Sequence, residues 1–444
     1  MFKKLGRQAR ITRLRALGGA AVAHAAVLTM FGGAAVAQSV QSAAPIPVEN
    51  LSAPGAEDRL SVSQRPRPDY DELGARVGGF IIKPAMDLSE MLDTNIFATK
   101  APQQSDFVTD IMPGVDVVSD FSRHSLSLQA SGDIRRFARS QAEDVENFVT
   151  AANGRYDISD SNFILLGGGF QQQHEDRGSP DAVNGINPTQ YHVANGTFGY
   201  NYTPYRVGFT LDSSVTHYSF DNVPTSSGTV INQTGRDRTE YGVTPRLSYE
   251  IIPAYRAFIQ STYNQRDYDH KFDASGFQRS SHGYSFALGT GYEISRIING
   301  EVYVGYQNQS YDDSRLKDNG GVIFGGNLLW NPTQLTSVKL NIARTIEETT
   351  LTGASGYFQT VLAVTGEHEL LRNLLLSVTP AYVRSEYQGI SRTDDYFQVS
   401  AGMKYLVNHR LSLGAQASYR MRSTTISASD YDREQYTVSG RLQF

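Results

Sequence analysis

The sequence predicts an all-β fold: a transmembrane antiparallel up-and-down β-barrel of about 18 strands, with sixteen as the alternative count. Three observations predict this class. Apolar and polar residues alternate over many segments, and the connections between these segments are alternately short and long. The chain is also rich in tyrosine (25) and phenylalanine (21). Beyond the N-terminus, no segment reaches the roughly 18 consecutive apolar residues of a membrane-spanning helix.

Residues 1–37 have the pattern of a cleaved secretory signal peptide. Six basic residues and no acidic one precede a run of small and apolar residues, which ends in Ala35-Val36-Ala37 before Gln38. We therefore expect cleavage after Ala37, with an uncleaved membrane anchor as the alternative. The remaining chain is acidic and the sequence has no cysteine. These features argue against a nucleic-acid partner, disulfides and thiolate chemistry.

Residues 38–75 show no strand or helix periodicity over most of their length. They are rich in proline, serine and alanine, a composition typical of flexible segments. We predict a flexible periplasmic N-terminal extension over 38–75 and the outer-membrane β-barrel over 76–444.

Two later segments show the strand pattern clearly. In YGVTPRLSYEI (241–251), tyrosine, valine, proline, leucine and isoleucine alternate with glycine, threonine, arginine, serine and glutamate. In LSLGAQASYRMR (411–422), leucine, alanine, tyrosine and methionine alternate with serine, glycine, glutamine and arginine. A helix would scatter these sets around its axis, whereas a strand places them on opposite faces.

Eight short and nine long connections separate the predicted strands. The short ones lie at 122–124, 159–162, 203–205, 253–255, 295–299, 331–334, 371–373 and 408–410. The long ones lie at 98–105, 139–144, 174–188, 222–238, 269–281, 312–319, 348–355, 388–393 and 424–432. Such alternation is typical of short periplasmic turns and longer external loops. A secreted β-sandwich is the alternative, but it would leave open sheet edges.

About eighteen strands would enclose a water-filled lumen. Charges of both signs on the face opposite the apolar one fit such a wet interior. They either pair across the wall or, at a constriction, set selectivity. The predicted lumen-lining residues are Asp133, Arg135, Arg155, Asp157, Asp212, Arg246, Glu250, Lys339, Arg420, Arg422 and Arg441.

The sequence provides no motif for catalysis, a metal or a cofactor. His124, His192, His217 and His368 have serine and aspartate residues nearby in sequence, but none lies in a nucleophile motif. Spacing alone does not define a catalytic triad. We predict that the protein is not an enzyme and uses no cofactor.

Residues 65–97 and 107–133 resemble the opening of a known protein family. The matching elements are the Arg-Pro and Asp-Tyr pairs, Gly74, Gly79-Phe80, Pro84, Asn95-Ile96-Phe97, Pro113 and Ser119-Asp120. This opening is similar to that of the putative β-barrel porin 2 family of proteobacterial outer-membrane proteins. The resemblance implies an outer-membrane channel, and several members are associated with exopolysaccharide or capsule production. It implies no catalytic residues.

The C-terminal strand ends on an aromatic residue. Tyr436, Val438, Leu442 and Phe444 lie on its apolar face, and this pattern is similar to the signal read by the outer-membrane assembly machinery. The expected partners are therefore outer-membrane lipid, lipopolysaccharide, that machinery and, for an exporter, polysaccharide-export components. We predict a channel for exopolysaccharide or small polar solutes. The alternatives are a structural barrel plugged by loops such as 222–238 and 269–281 and, less favoured, an outer-membrane enzyme.

Overall fold

The computed structural model describes residues 60–294 and 297–444, and within these ranges eighteen strands form one closed antiparallel barrel. The predicted signal-peptide residues Ala35, Ala37 and Gln38 lie outside the described ranges. The strands are β1 (Phe80–Asp93), β2 (Asp106–Ser119), β3 (Ser125–Phe137), β4 (Val145–Ser159), β5 (Asn162–His174), β6 (Gln190–Tyr202), β7 (Val207–Phe220), β8 (Arg238–Ile252), β9 (Tyr255–Tyr268), β10 (Ser281–Ile294), β11 (Ile298–Tyr311), β12 (Asn319–Thr333), β13 (Thr336–Glu347), β14 (Gly356–Leu371), β15 (Leu374–Gln388), β16 (Thr393–Leu406), β17 (Leu411–Thr424) and β18 (Tyr431–Gln443).

Each strand pairs with its sequence neighbours, and β1 pairs with β18 to close the sheet. In this closing seam Asp87 lies opposite Arg441, and Asp93 lies opposite Gln435. Closure removes the open edges that a sandwich would leave, so each of the eighteen barrel strands has a partner on both sides. The predicted fold class and the count of eighteen strands are confirmed.

The connections alternate as the sequence predicted. The eight short turns lie at one end of the barrel, called here the short-turn end, together with the start of β1 and the end of β18. The nine longer loops lie at the opposite end, called here the long-loop end. Each loop or turn overlaps its predicted position, although part of the turn before β11 is outside the described residues.

The outer surface carries the apolar face of the strands. In β8, Tyr241, Val243, Leu247 and Tyr249 are exposed, while Ser248 between the last two is buried. In β18, the exposed fractions of Tyr436, Val438 and Leu442 are 50%, 61% and 50%. An apolar outer face with polar residues turned inward is the arrangement of a membrane barrel. Within the described residues, no helix is long and apolar enough to span a membrane.

Residues 60–73, called here the N-terminal strap, fold against the short-turn end. These residues belong to the segment predicted as a flexible extension, but Ser61, Val62 and Arg67 are buried. After the strap, the short strand Ala75–Val77 forms a hairpin with β1, which begins at Phe80. The composition of this segment alone indicated flexibility. The groups that hold the strap lie far away in the sequence, so local composition does not reveal them.

Candidate functional site: the barrel interior

Most of the charged residues predicted for the lumen have a polar partner on the wall. Asp212 lies on β7, opposite Gly199 and Thr244. That all of them line a water-filled passage remains a prediction. The pairs are Asp133 with Arg135 (3.0 Å), Arg155 with Asp157 (2.7 Å), Arg246 with Glu301 (2.8 Å), Glu250 with Arg256 (3.8 Å), Lys339 with Glu367, Arg420 with Gln398 (2.9 Å), Arg422 with Asp394 (2.9 Å) and Arg441 with Asp87 (2.6 Å).

Arg246 shows how these charges are arranged. Its guanidinium on β8 donates to Gln260 on β9 and to both carboxylate oxygens of Glu301 on β11. It also lies 4.1 Å from the centre of the Phe258 ring. Strands as far apart as β8 and β11 exchange side-chain contacts only across the concave side of a curved wall. The pair therefore belongs to the barrel interior.

One long loop, residues 175–189 and called here the inner loop, folds into the barrel. The Glu175 carboxylate accepts a hydrogen bond from Arg236 (3.0 Å), and Arg177 donates to Glu143 at 2.9 Å. The preceding strand β5 and the following β6 lie far around the wall from β18, yet Asp176 pairs with Arg433 of β18 at 3.0 Å. The loop therefore crosses the interior instead of projecting from the rim.

The tip of the inner loop rests on the opposite wall. The Tyr396 hydroxyl donates to the Gly178 carbonyl (3.3 Å), Arg392 donates to the Pro180 carbonyl (3.4 Å), and the Thr349 hydroxyl donates to Asp181 (2.6 Å). Glycine at position 178 lets the loop approach this wall closely, because a Cβ there would displace the Tyr431 ring. These contacts fix the tip of the inner loop against several separate strands and loops at the long-loop end.

Two further long loops contact the inner loop or the wall loop on which it rests. The Ile186 N–H donates to the Pro224 carbonyl at 2.8 Å, which ties the inner loop to the loop between β7 and β8. In the loop between β9 and β10, the buried Arg279 donates to the carbonyls of Thr349 (2.6 Å) and Ala354 (2.9 Å). Of the two loops predicted as plugs, 222–238 therefore contacts the inner loop directly, whereas 269–281 contacts the loop between β13 and β14, which includes Thr349.

Burial and positive charge act in opposite directions on Asp176. Burial raises the pKa of its carboxyl, but Arg433, Arg420 and the backbone N–H of Gly178 outweigh burial and hold the pKa well below its ordinary value. Because the pKa of Asp176 is lowered in the folded state, its carboxylate stabilises the seated loop fully at any pH above the unfolded-state pKa of about 3.9. This contribution is lost only as the pH falls through the lower, folded pKa.

We therefore expect the conductance of the barrel to stay constant from pH 8 to about pH 5, since Asp176 remains ionised over that range. Asp176→Asn should raise the conductance already at neutral pH, because Arg433 loses this contact with the loop. Single-channel recordings across a pH series measure both effects. A rise of the wild-type conductance between pH 7 and pH 5 would contradict the assignment to Asp176.

The residues that hold the inner loop were not among those predicted from the sequence. Arg433 could have been predicted as an inward residue, because it continues the inward series of β18 that contains Arg441. Asp93, which pairs with Arg433, likewise lies on the inward face of β1. Asp176 and Asp181 carried no signal, because a polar residue in a long loop is usually solvated.

The four histidines considered for catalysis have ordinary structural partners. His124 accepts a hydrogen bond from the Asp157 N–H at 2.9 Å, and His192 lies 3.7 Å from Asp221. His217 and His368 lie within hydrogen-bonding distance of threonine hydroxyls. Among the described residues, no group of three histidine or carboxylate side chains could hold a metal ion.

The chain matches one family model and several solved structures. The model described as "Putative beta-barrel porin 2" matches residues 67–444. The crystal structure of Pseudomonas aeruginosa OpdK with vanillate is 10% identical, covers 82% of this chain and 99% of that chain, and has a TM-score of 0.42. The crystal structure of a BenF-like porin from Pseudomonas fluorescens Pf-5 is 10% identical, covers 82% of this chain and 99% of that chain, and has a TM-score of 0.44. The sequence matches no curated protein.

Proposed function

The chain belongs to the putative β-barrel porin 2 family and is an outer-membrane β-barrel porin, and from this premise we propose that it passes small polar solutes by diffusion. The family is one of channels, not of enzymes. In such barrels the short turns are periplasmic and the long loops are external. The long-loop end described above is accordingly the external mouth, and the inner loop narrows it.

The position of the inner loop is the observation that carries this proposal. It is anchored to Arg236 near β8, to Thr349 after β13 and to Arg433 on β18. A passage divided in this way favours small solutes over a polymer chain. The charges of both signs on the inner wall, including the eleven predicted residues, most of which have a polar partner, are proposed to line the passage. They would give no strong preference for one sign of charge.

Planar-bilayer recording tests the proposal directly. Purified protein should give stepwise conductance, and liposomes that contain it should swell in small sugars but not in large neutral polymers. Silence in the bilayer, with folded protein, would instead support the structural barrel plugged by its loops.

Export of exopolysaccharide is the second function expected from the sequence, and no contact described above favours it. Deleting the gene distinguishes the two functions. Passage of small solutes predicts slower solute uptake with unchanged surface polysaccharide. Loss of surface polysaccharide with unchanged uptake would replace the present proposal with export.

A further inference from the structure

We propose that the N-terminal strap is a fixed part of the channel that sets its size limit at the periplasmic mouth. This inference concerns the end of the barrel opposite the inner loop, so it goes beyond the proposed function. It rests on contacts between residues 60–73 and the inner wall near the short turns.

The strap begins against strands β12 to β14. Asn331 donates to the Leu60 carbonyl (3.4 Å), and the Val62 N–H donates to the Ser337 hydroxyl at 2.9 Å. Val62 and Ser337 are both completely buried. A completely buried serine on the inner face of a barrel strand must be covered from the interior, and here Val62 covers it.

Two glutamates on β14 hold the next part of the strap. Glu367 accepts hydrogen bonds from both the N–H (3.0 Å) and the hydroxyl (2.8 Å) of Ser63. Glu369 pairs with Arg67 at 2.8 Å, and the exposed fractions of the two side chains are only 7% and 3%. Charge-assisted hydrogen bonds of this kind are stronger than neutral ones, so they fix the strap at this point.

Arg67 also fixes the conformation of the strap itself. The Arg67 guanidinium donates to the carbonyls of Val62 (2.8 Å) and Arg65 (3.1 Å). The backbone N–H of Arg67 donates to the Asp71 carboxylate at 2.6 Å. The Arg67 side chain thus joins the first half of the strap to the wall, and its backbone N–H joins the strap to the turn that follows. Removing it would leave Glu369 buried with one fewer cation, a costly arrangement.

The strap ends at the closing seam of the barrel. The Tyr70 carbonyl accepts from Gln443 (3.3 Å), the Asp71 carbonyl lies 3.0 Å from Nδ1 of His409, and Glu72 pairs with Lys83 at 3.3 Å. Between Val62 and Tyr70 the strap passes from β13 to β18. It therefore runs along the inside of the periplasmic mouth past the ends of the intervening strands and takes up part of the opening.

A thiol-labelling experiment tests whether the strap covers the wall. The natural chain has no cysteine, so Ser337→Cys introduces a single thiol beneath Val62, and Asp160→Cys in an exposed short turn is the control. In folded protein Ser337→Cys should react slowly with a maleimide. Adding Arg67→Ala should speed this reaction by about a hundredfold, as expected when one partner of a buried ion pair is removed.

Arg76→Ala is the matched variant, because Arg76 pairs with Asp120 at an exposed position just beyond the strap. It should leave the labelling of Ser337→Cys unchanged. Equal labelling rates for Ser337→Cys and Asp160→Cys, with Arg67 intact, would overturn the proposal.

A second experiment measures the effect of the strap on the passage. The inner loop, in series with the strap, would mask the effect of the strap on conductance. Residues 60–73 are therefore deleted both in the wild type and in a variant whose inner loop is replaced by a short linker. In the variant with the replaced inner loop, deleting residues 60–73 should increase the conductance by about twofold and admit larger neutral solutes. Unchanged conductance and size limit in folded protein would overturn the proposal. The thiol-labelling experiment does not depend on conductance, so it tests whether the strap covers the wall even if the barrel does not conduct.

Discussion

Replacing residues 177–187 of the inner loop by a short glycine–serine linker should raise the single-channel conductance by about threefold or more, since conductance follows the open cross-section of the lumen. The replacement removes the contacts of Arg177 with Glu143 and of Asp181 with Thr349. It leaves every barrel strand intact. Planar-bilayer recording and liposome swelling measure the change.

The loop between β17 and β18 supplies the matched control. Residues 425–429 lie at the rim, so shortening this loop should leave the conductance unchanged. Asp181→Cys with Thr349→Cys, oxidised to a disulfide, should hold the inner loop seated and keep the conductance of the wild type. Reducing the disulfide should raise the conductance, because the hydrogen bond between Asp181 and Thr349 is absent from this variant. If the loop replacement leaves the conductance of folded protein as it was, the inner loop is not the constriction.

Deleting Phe444 should lower the amount of folded barrel in the outer membrane several-fold. Phe444 is 59% exposed on the apolar face of the terminal strand, where an assembly factor could bind it. Its N–H donates to the Pro84 carbonyl (3.2 Å), and its carbonyl accepts from the Gly74 N–H (3.0 Å). Losing these two hydrogen bonds costs about 2 kcal/mol at the closing seam. Heat-modifiable migration of the protein in outer-membrane fractions measures the folded amount.

Phe444→Tyr is the control, because it keeps the aromatic ring and both backbone hydrogen bonds. It should insert as well as the wild type. Phe444→Ala separates the two causes, since it removes only the ring. Normal amounts of folded, heat-modifiable protein after deletion would show that the C-terminal aromatic residue is not needed for assembly.

The barrel architecture was predictable because its evidence is local. The alternation of residues 241–251 places Tyr241 and Val243 outside and Arg246 inside without reference to any other strand. The same reasoning placed Arg441 inside and Leu442 outside in β18. The length of each connection is equally visible in the chain, and the lengths together gave the count of strands and the end at which each loop lies.

Which groups meet inside the barrel was not predictable from local evidence. The partner of Arg246 was unknown because Glu301 follows it by more than fifty residues. Composition indicated a flexible segment at Ser61 and Val62, and only the neighbouring Ser337 shows why that segment is ordered.

The sequence by itself determined the class of fold, a count of about eighteen strands joined in chain order, and the alternation of apolar and polar residues along them. The physical reason is that a strand has a period of two and a turn is a short-range feature. Only the tertiary structure decided that residues 175–189 turn inward and that residues 60–73 occupy the opposite mouth. Those placements depend on contacts such as Asp176 with Arg433 and Arg67 with Glu369, which join residues hundreds of positions apart.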